Sequence, residues 1–182
     1  MAPLHVMHYN DSSIEEEDDW ILFGIHLEEA KRIGVEAISV DVWWGLVEIK
    51  NNQFDWSYYI KVLDMIISNG LDVVPIMSFH SFDPGKGAGF RAPIPDWVWK
   101  LISKKSGFSI QDLKYNSEDV GENGSHKFSD EYVSLWANEW AFVQYKEFLK
   151  EFINRFDNYL EFFQEINISL GPTGELRYPS YN

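Results

Sequence analysis

The 182-residue chain predicts an α/β fold built on a parallel sheet. Two observations carry this. The nearly continuous apolar runs AISVDVWWG (Ala37–Gly45) and LDVVPIMSFH (Leu71–His80) are what strands covered on both faces require. Segments with the apolar spacing of amphipathic helices separate the strands, so the order reads β-α-β-α-β-(long loop)-α-β, an alternation that makes neighbouring strands parallel. Such an order fits either a doubly wound layer or part of a (β/α)8 barrel. A full barrel typically needs ~250 residues, so the predicted strands would make about half of one.

The first strand is the short apolar opening Met1–Met7, followed by a polar, acidic loop over Asn10–Asp19. Its negative charge suits a position just before a helix N-terminus, where the dipole favours anions. That helix is predicted from about Trp20 to Ile33, with Trp20, Phe23, Leu27 and Ala30 on one side and Gly34 placed to end it. Tyr59, Leu63, Ile66 and Ile67 mark a second helix over Trp56–Asn69, closed by Gly70. Beyond His80 the chain is rich in Gly and Pro, then irregular from about Lys100 to Asp130, where no element is assigned. A helix over Trp140–Tyr159 turns Tyr145, Phe148, Leu149, Phe152, Ile153 and Phe156 inward, and FFQEINISLG (Phe162–Gly171) is the last strand. There is no internal repeat.

Composition narrows the function classes. At 45% hydrophobic the chain can bury one substantial core, and most of its 8 Trp, 9 Tyr and 13 Phe are expected there. The net charge of −14 repels nucleic acid and anionic lipid, and a neutral substrate is indifferent to it. The absence of cysteine removes disulfides, thiolate zinc sites and a Cys nucleophile. No basic-then-apolar signal opens the sequence and no apolar run approaches a membrane span, so no membrane partner is expected and the compartment is cytoplasmic by default. The Asn-x-Ser matches at Asn10, Asn123 and Asn167 are read as chance. His5, His8, His26 and His126 form no zinc spacing.

Polar residues occupy unusual positions. Asp41 lies inside an apolar strand just before Trp43 and Trp44, His80 closes the next strand, and Glu175 follows the last one. In parallel α/β folds the C-terminal strand ends share the face that carries the site. Any one of these residues could be structural, satisfied by backbone groups. Their coincidence at one rim favours a site.

The last segment is more specific. GPTGELRYPSY (Gly171–Tyr181) resembles the general-acid motif of the β-amylases, glycoside hydrolases that release maltose from α-1,4-glucans. SVDVWWGLVE (Ser39–Glu48) resembles that family's second-strand motif, and FDWSYY (Phe54–Tyr59) the start of its next helix. PIMSFH and then PIPDWVW (Pro93–Trp99) resemble its third strand and the far side of its flexible loop. The matches run in order from about Trp20 to the last residue, weakest between about Leu101 and Asn138.

The resemblance implies a (β/α)8 TIM barrel, of which residues 1–182 would be the N-terminal half in a single domain. It implies hydrolysis with inversion at the anomeric carbon and an α-1,4-glucan as partner; no cofactor or metal is predicted. Glu175 would protonate the leaving glycosidic oxygen, Asp41 and His80 would hold hydroxyls of the non-reducing glucose units, and Tyr181 and Arg177 would support the site. A Glu in an aromatic, partly desolvated cleft has the raised pKa that an acid needs. A close cation would lower it, so Arg177 is expected to point into the scaffold.

Departures from the family pattern keep a second reading open. Gly85, Gly87 and Gly89 permit a mobile lid, but Ala88 stands where the lid's Asp is expected, and Asp83 differs in spacing. GKGAG lacks the Ser or Thr of a phosphate loop. Glu48 and Glu139 are too few oxygen donors to predict the calcium site of some bacterial relatives. An inverting enzyme needs a second carboxylate ~6.5–9.5 Å from the acid; in β-amylases it comes from the later half of the barrel, and Glu161 and Glu165 are expected to be structural. The alternative is therefore a non-catalytic glucan-binding or regulatory module. A half-barrel would also bare sheet edges and apolar helix faces, which predicts self-association.

Overall fold

The computed structural model describes residues 15–82, 91–120, 126–134 and 137–169. The expected strand Met1–Met7 lies outside them. Helix α1 (Glu15–Arg32) starts earlier than the apolar spacing indicates, because the acidic run forms its first turn and Lys31 and Arg32 its last. Both ends thereby oppose the helix dipole, which stabilises charge of this sign within a turn of each terminus. The chain leaves α1 through Gly34, at φ 91°, a conformation that costs glycine little.

Strand β1 (Ala37–Trp43) runs directly into a single helical turn, α2 (Trp44–Val47), so the apolar run read as one strand divides between the two tryptophans. Helix α3 (Ser57–Ser68) is the crossover to β2 (Asp72–Ser78), which pairs with β1 in parallel from Ala37↔Asp72 to Trp43↔Ser78. After a Gly- and Pro-rich stretch comes α4 (Asp96–Ser106), ended by the left-handed Gly107. An antiparallel pair, β3 (Tyr115–Val120) and β4 (His126–Ser129), precedes α5 (Asn138–Arg155). A 3-10 stretch over Asp157–Phe162 leads to β5 (Asn167–Ile168), parallel to β2. The parallel sheet has the order β1-β2-β5.

The differences from the sequence reading have local causes. The pairing of β5 with β2 covers Asn167 and Ile168 only, with Phe163 bridging singly to Val73, so the expected strand Phe162–Gly171 is shorter within the described residues. In α4, Val98, Trp99 and Ile102 are buried while Ser103, Lys104 and Lys105 populate the end, and that short polar finish conceals the helical period. The hairpin strand YNSEDV lacks apolar alternation altogether.

The core combines aliphatic side chains with a large aromatic cluster. Helix α5 and its C-cap Phe156 bury Tyr145, Phe148, Phe152 and Phe156, spaced by three or four residues along one face. Trp44 meets Phe79, Trp97, Tyr145 and Phe148 with centroids 5.3–6.5 Å apart, each edge-on. Trp56 receives Phe148, Phe152 and Phe156 at 5.3–5.8 Å. Such pairs contribute about 0.5–1.5 kcal/mol each beyond area burial. Beneath them, α3 packs Tyr59, Val62, Leu63 and Ile66 against the sheet.

One glycine is required for closeness rather than for conformation. A Cβ on Gly45 would lie 1.7 Å from the Pro93 carbonyl oxygen, so the turn after β1 and the segment entering α4 touch backbone to backbone. Gly24, inside α1, has only the Met65 Cε atom at 3.6 Å. Gly45→Ala is therefore expected to destabilise the fold by about 3 kcal/mol, the upper range for forced overpacking. Gly24→Ala should stabilise it by about 0.5–1 kcal/mol through helix propensity. Urea midpoints at unchanged slope check both, and equal effects at the two sites would contradict this packing.

Candidate active site

The pleat of β1 sends alternate side chains to opposite faces. Val40 and Val42, each 2% exposed, enter the core under the helices, while Ser39, Asp41 and Trp43 share the other face and keep partial access to solvent. Residues paired in a parallel ladder stand side by side, so Ile76 and Ser78 of β2 join Asp41 and Trp43 on that face. The Ser78 hydroxyl donates to Asp41 Oδ1 at 2.9 Å. Burial raises the Asp41 pKa, and the Ser78 hydrogen bond works against that rise.

Tyr59 braces the same strand from behind. Its phenol donates to the Asp41 carbonyl at 3.0 Å and accepts from the Trp43 N–H at 2.8 Å, fixing the backbone on both sides of Val42. The phenol is fully enclosed, and burial raises its pKa well above the ordinary value.

His80 is 8% exposed, just past the end of β2. Its Nδ1 lies 3.0 Å from the Ser169 hydroxyl, and its ring meets Trp43 edge-on with centroids 5.0 Å apart. The Ser169 N–H donates to the Met77 carbonyl at 3.1 Å, which seats Ser169 beside the end of β2. Burial lowers the His80 pKa to about 4, so the imidazole is neutral near neutral pH. Phe82 follows, 40% exposed, with its ring 5.6 Å from Trp43. Its backbone exchanges hydrogen bonds with Ala92 at 2.8 and 3.0 Å, and the neighbouring Ser81 N–H donates to the Glu131 carbonyl at 2.7 Å.

The ends of β1, β2 and β5 therefore meet in two polar pairs, Asp41–Ser78 and His80–Ser169, beside an aromatic wall. A neutral imidazole both donates and accepts hydrogen bonds, and with a buried carboxylate it makes a surface suited to hydroxyl groups. Glu175, Tyr181 and Arg177 lie outside the described residues, as do Asp83 and the lid positions Gly85, Gly87, Ala88 and Gly89. Glu161 and Glu165 are exposed, and Glu165 accepts from the Asn167 amide at 3.2 Å. Among the described residues no group of three His, Cys, Asp or Glu side chains could hold a metal ion. The buried Glu48 carboxylate accepts from Trp44 Nε1 and the Asn52 N–H, both at 2.8 Å, and its carbonyl accepts from Trp97 Nε1. It locks α2 to the turn that follows. Tyr59 was read in the sequence only as a helix residue, and Ser78 and Ser169 were not singled out; for the two serines the only available signal was their position at a strand end.

The chain matches the model of glycosyl hydrolase family 14 over residues 12–182. It is 39% identical over 170 residues to a thermophilic beta-amylase of Thermoanaerobacterium thermosulfurigenes, covering 93% of this chain and 28% of that protein. Against a beta-amylase of Glycine max the identity is 31% over 185 residues, covering 100% of this chain and 36% of the relative. The crystal structure of the catalytic domain of beta-amylase from Paenibacillus polymyxa superposes with a TM-score of 0.76 at 35% identity, covering 97% of this chain and 38% of that one. The fold is thus of the (β/α)8 TIM-barrel type, and the chain spans about a third of the length of the relatives it matches.

His80 makes stability depend on pH with a definite sign. A histidine whose folded pKa is depressed contributes fully above the unfolded value of 6.5 and loses that contribution as pH falls towards about 4. The difference is on the order of 2–3 kcal/mol. Denaturation of the wild type and His80→Asn across this window should show the variant's curve flatter by that amount. Parallel curves would contradict a buried neutral imidazole.

Proposed function

This chain belongs to glycosyl hydrolase family 14, and from that premise we propose that it contributes to β-amylase-type cleavage of α-1,4-glucans. In this reading residues 1–182 are the N-terminal half of the catalytic barrel, and the non-reducing end of the glucan lies across the ends of β1 and β2. The observation that supports it most is the meeting of Asp41, on Ser78, with neutral His80, on Ser169, at one end of the parallel sheet. Sugar hydroxyls donate to the Asp41 carboxylate and exchange hydrogen bonds with the imidazole. Because His80 is uncharged near neutral pH, it binds an uncharged ligand without stranding a buried cation.

Glu175 is the general acid. It gives its proton to the glycosidic oxygen as the bond to the anomeric carbon breaks. Water activated by a second carboxylate attacks from the opposite face of the ring, which inverts the configuration. This reading assigns the base to no residue of 1–182. The glycines at 85, 87 and 89 allow the segment between Phe82 and Ala92 to close over bound sugar. Ala88 in that segment favours the other reading, in which the same surface binds glucan without cleaving it.

The whole gene product that carries this chain distinguishes the two. With amylose it is expected to release maltose initially as the β-anomer, followed by proton NMR of the anomeric signals. Glu175→Gln should lower the rate by at least about a hundredfold, the lower end for a positioned acid. Activity that survives this substitution would remove Glu175 from its role. Glucan binding without any maltose from the wild type would select the binding module.

A further inference from the structure

We propose that Phe82, together with Trp43, is a stacking platform for one glucose ring of the glucan, and so a determinant of affinity at this site. The inference rests on the reading above for the identity of the sugar, and extends it to a residue whose role there is unassigned. A Phe ring is normally drawn into a core, yet Phe82 is 40% exposed and sits two residues after the buried His80. His80 and Phe82 both turn towards the same indole. Trp43 meets His80 at 5.0 Å and Phe82 at 5.6 Å.

The two aromatic rings are tilted by 42° to one another, and in this proposal they form a shallow apolar wedge beside the hydroxyl-binding pair. A pyranose ring has the complementary surface: hydroxyls around its rim and axial C–H groups on a face. A sugar whose hydroxyls engage Asp41 and His80 therefore leaves an apolar face, its own or its neighbour's, to meet the wedge. The platform is also held in place beforehand. Phe82 donates its N–H to the Ala92 carbonyl at 2.8 Å and accepts from the Ala92 N–H at 3.0 Å, while Tyr59 bonds the Trp43 N–H at 2.8 Å. Little backbone freedom is lost when a ring settles there.

An ordinary packing role for Phe82 at the base of the lid makes a different forecast, because any bulky apolar side chain would serve. The test is titration calorimetry of maltotetraose with the whole gene product and the variants F82A, F82L, F82W and D41N, all carrying Glu175→Gln so that the sugar is bound and not cleaved (wild type below means unchanged at positions 41 and 82). Stacking predicts that F82A and F82L both bind about tenfold more weakly, and that F82W stays within about threefold of the wild type. Leucine keeps the apolar bulk, so F82L tests the ring even where F82A weakens the fold. Affinity in F82L equal to that of the wild type would overturn the platform. So would a loss in F82W as large as that in F82A. If D41N weakens binding while F82A and F82L do not, the platform is wrong and the glucan reading stands. If the wild type binds no maltotetraose, the glucan reading falls, and the platform with it.

Discussion

The structure depends on where the indole of Trp44 goes. It is 1% exposed, with aromatic rings from the end of β2, from α4 and from α5 edge-on around it, and its N–H closes on the buried Glu48 carboxylate. With that ring anchored on the helix side, the chain turns into α2 and the preceding residue is forced outward. Trp43 and Trp44 are thus adjacent in sequence and opposite in duty. One belongs to the core and the other to the face that carries Asp41. Moving the indole of Trp44 would shift the register of the polar residues with it, since the pleat couples every second side chain.

The charge of the molecule and the character of its candidate site point in different directions. The chain carries a net charge of −14, yet the strand ends present a neutral imidazole and a carboxylate whose ionisation burial disfavours. In the proposed reading, specificity there comes from hydrogen-bond geometry, and the field of the whole surface has little hold on an uncharged ligand. A serine hydroxyl completes each pair. Each meets one titratable side chain, and each comes from a strand next to that side chain's own. The site consequently requires the parallel register itself, and no isolated strand reproduces it.

Much of this was legible in the sequence, for identifiable reasons. The runs at Ala37–Gly45 and Leu71–His80 stand out because both faces of those strands are covered, and Asp41 and His80 stand out because they interrupt such runs. The α5 stripe is legible because its aromatics keep the helical period. The hairpin β3–β4 is not, because its strands are polar and short. Nor is the division between β1 and α2, since Trp43 and Trp44 are equally apolar and only packing separates them. Ser78 and Ser169 are invisible for a related reason: serine at a strand end is commonplace, and its meaning arises from a partner distant in the chain.

The reciprocal hydrogen bonds between Phe82 and Ala92 make the intervening segment leave and rejoin the barrel at one point. Just past Ala92, the Pro93 backbone is pressed against Gly45, so the returning side of that junction is tied to α2 as well. The cost of closing such a segment grows only slowly with its length. Residues between the two anchors can therefore be exchanged, lengthened or shortened as a cassette, while the junction and the sheet stay as they are. Within one scaffold, the segment between these anchors is free to diverge faster than the sheet that carries them.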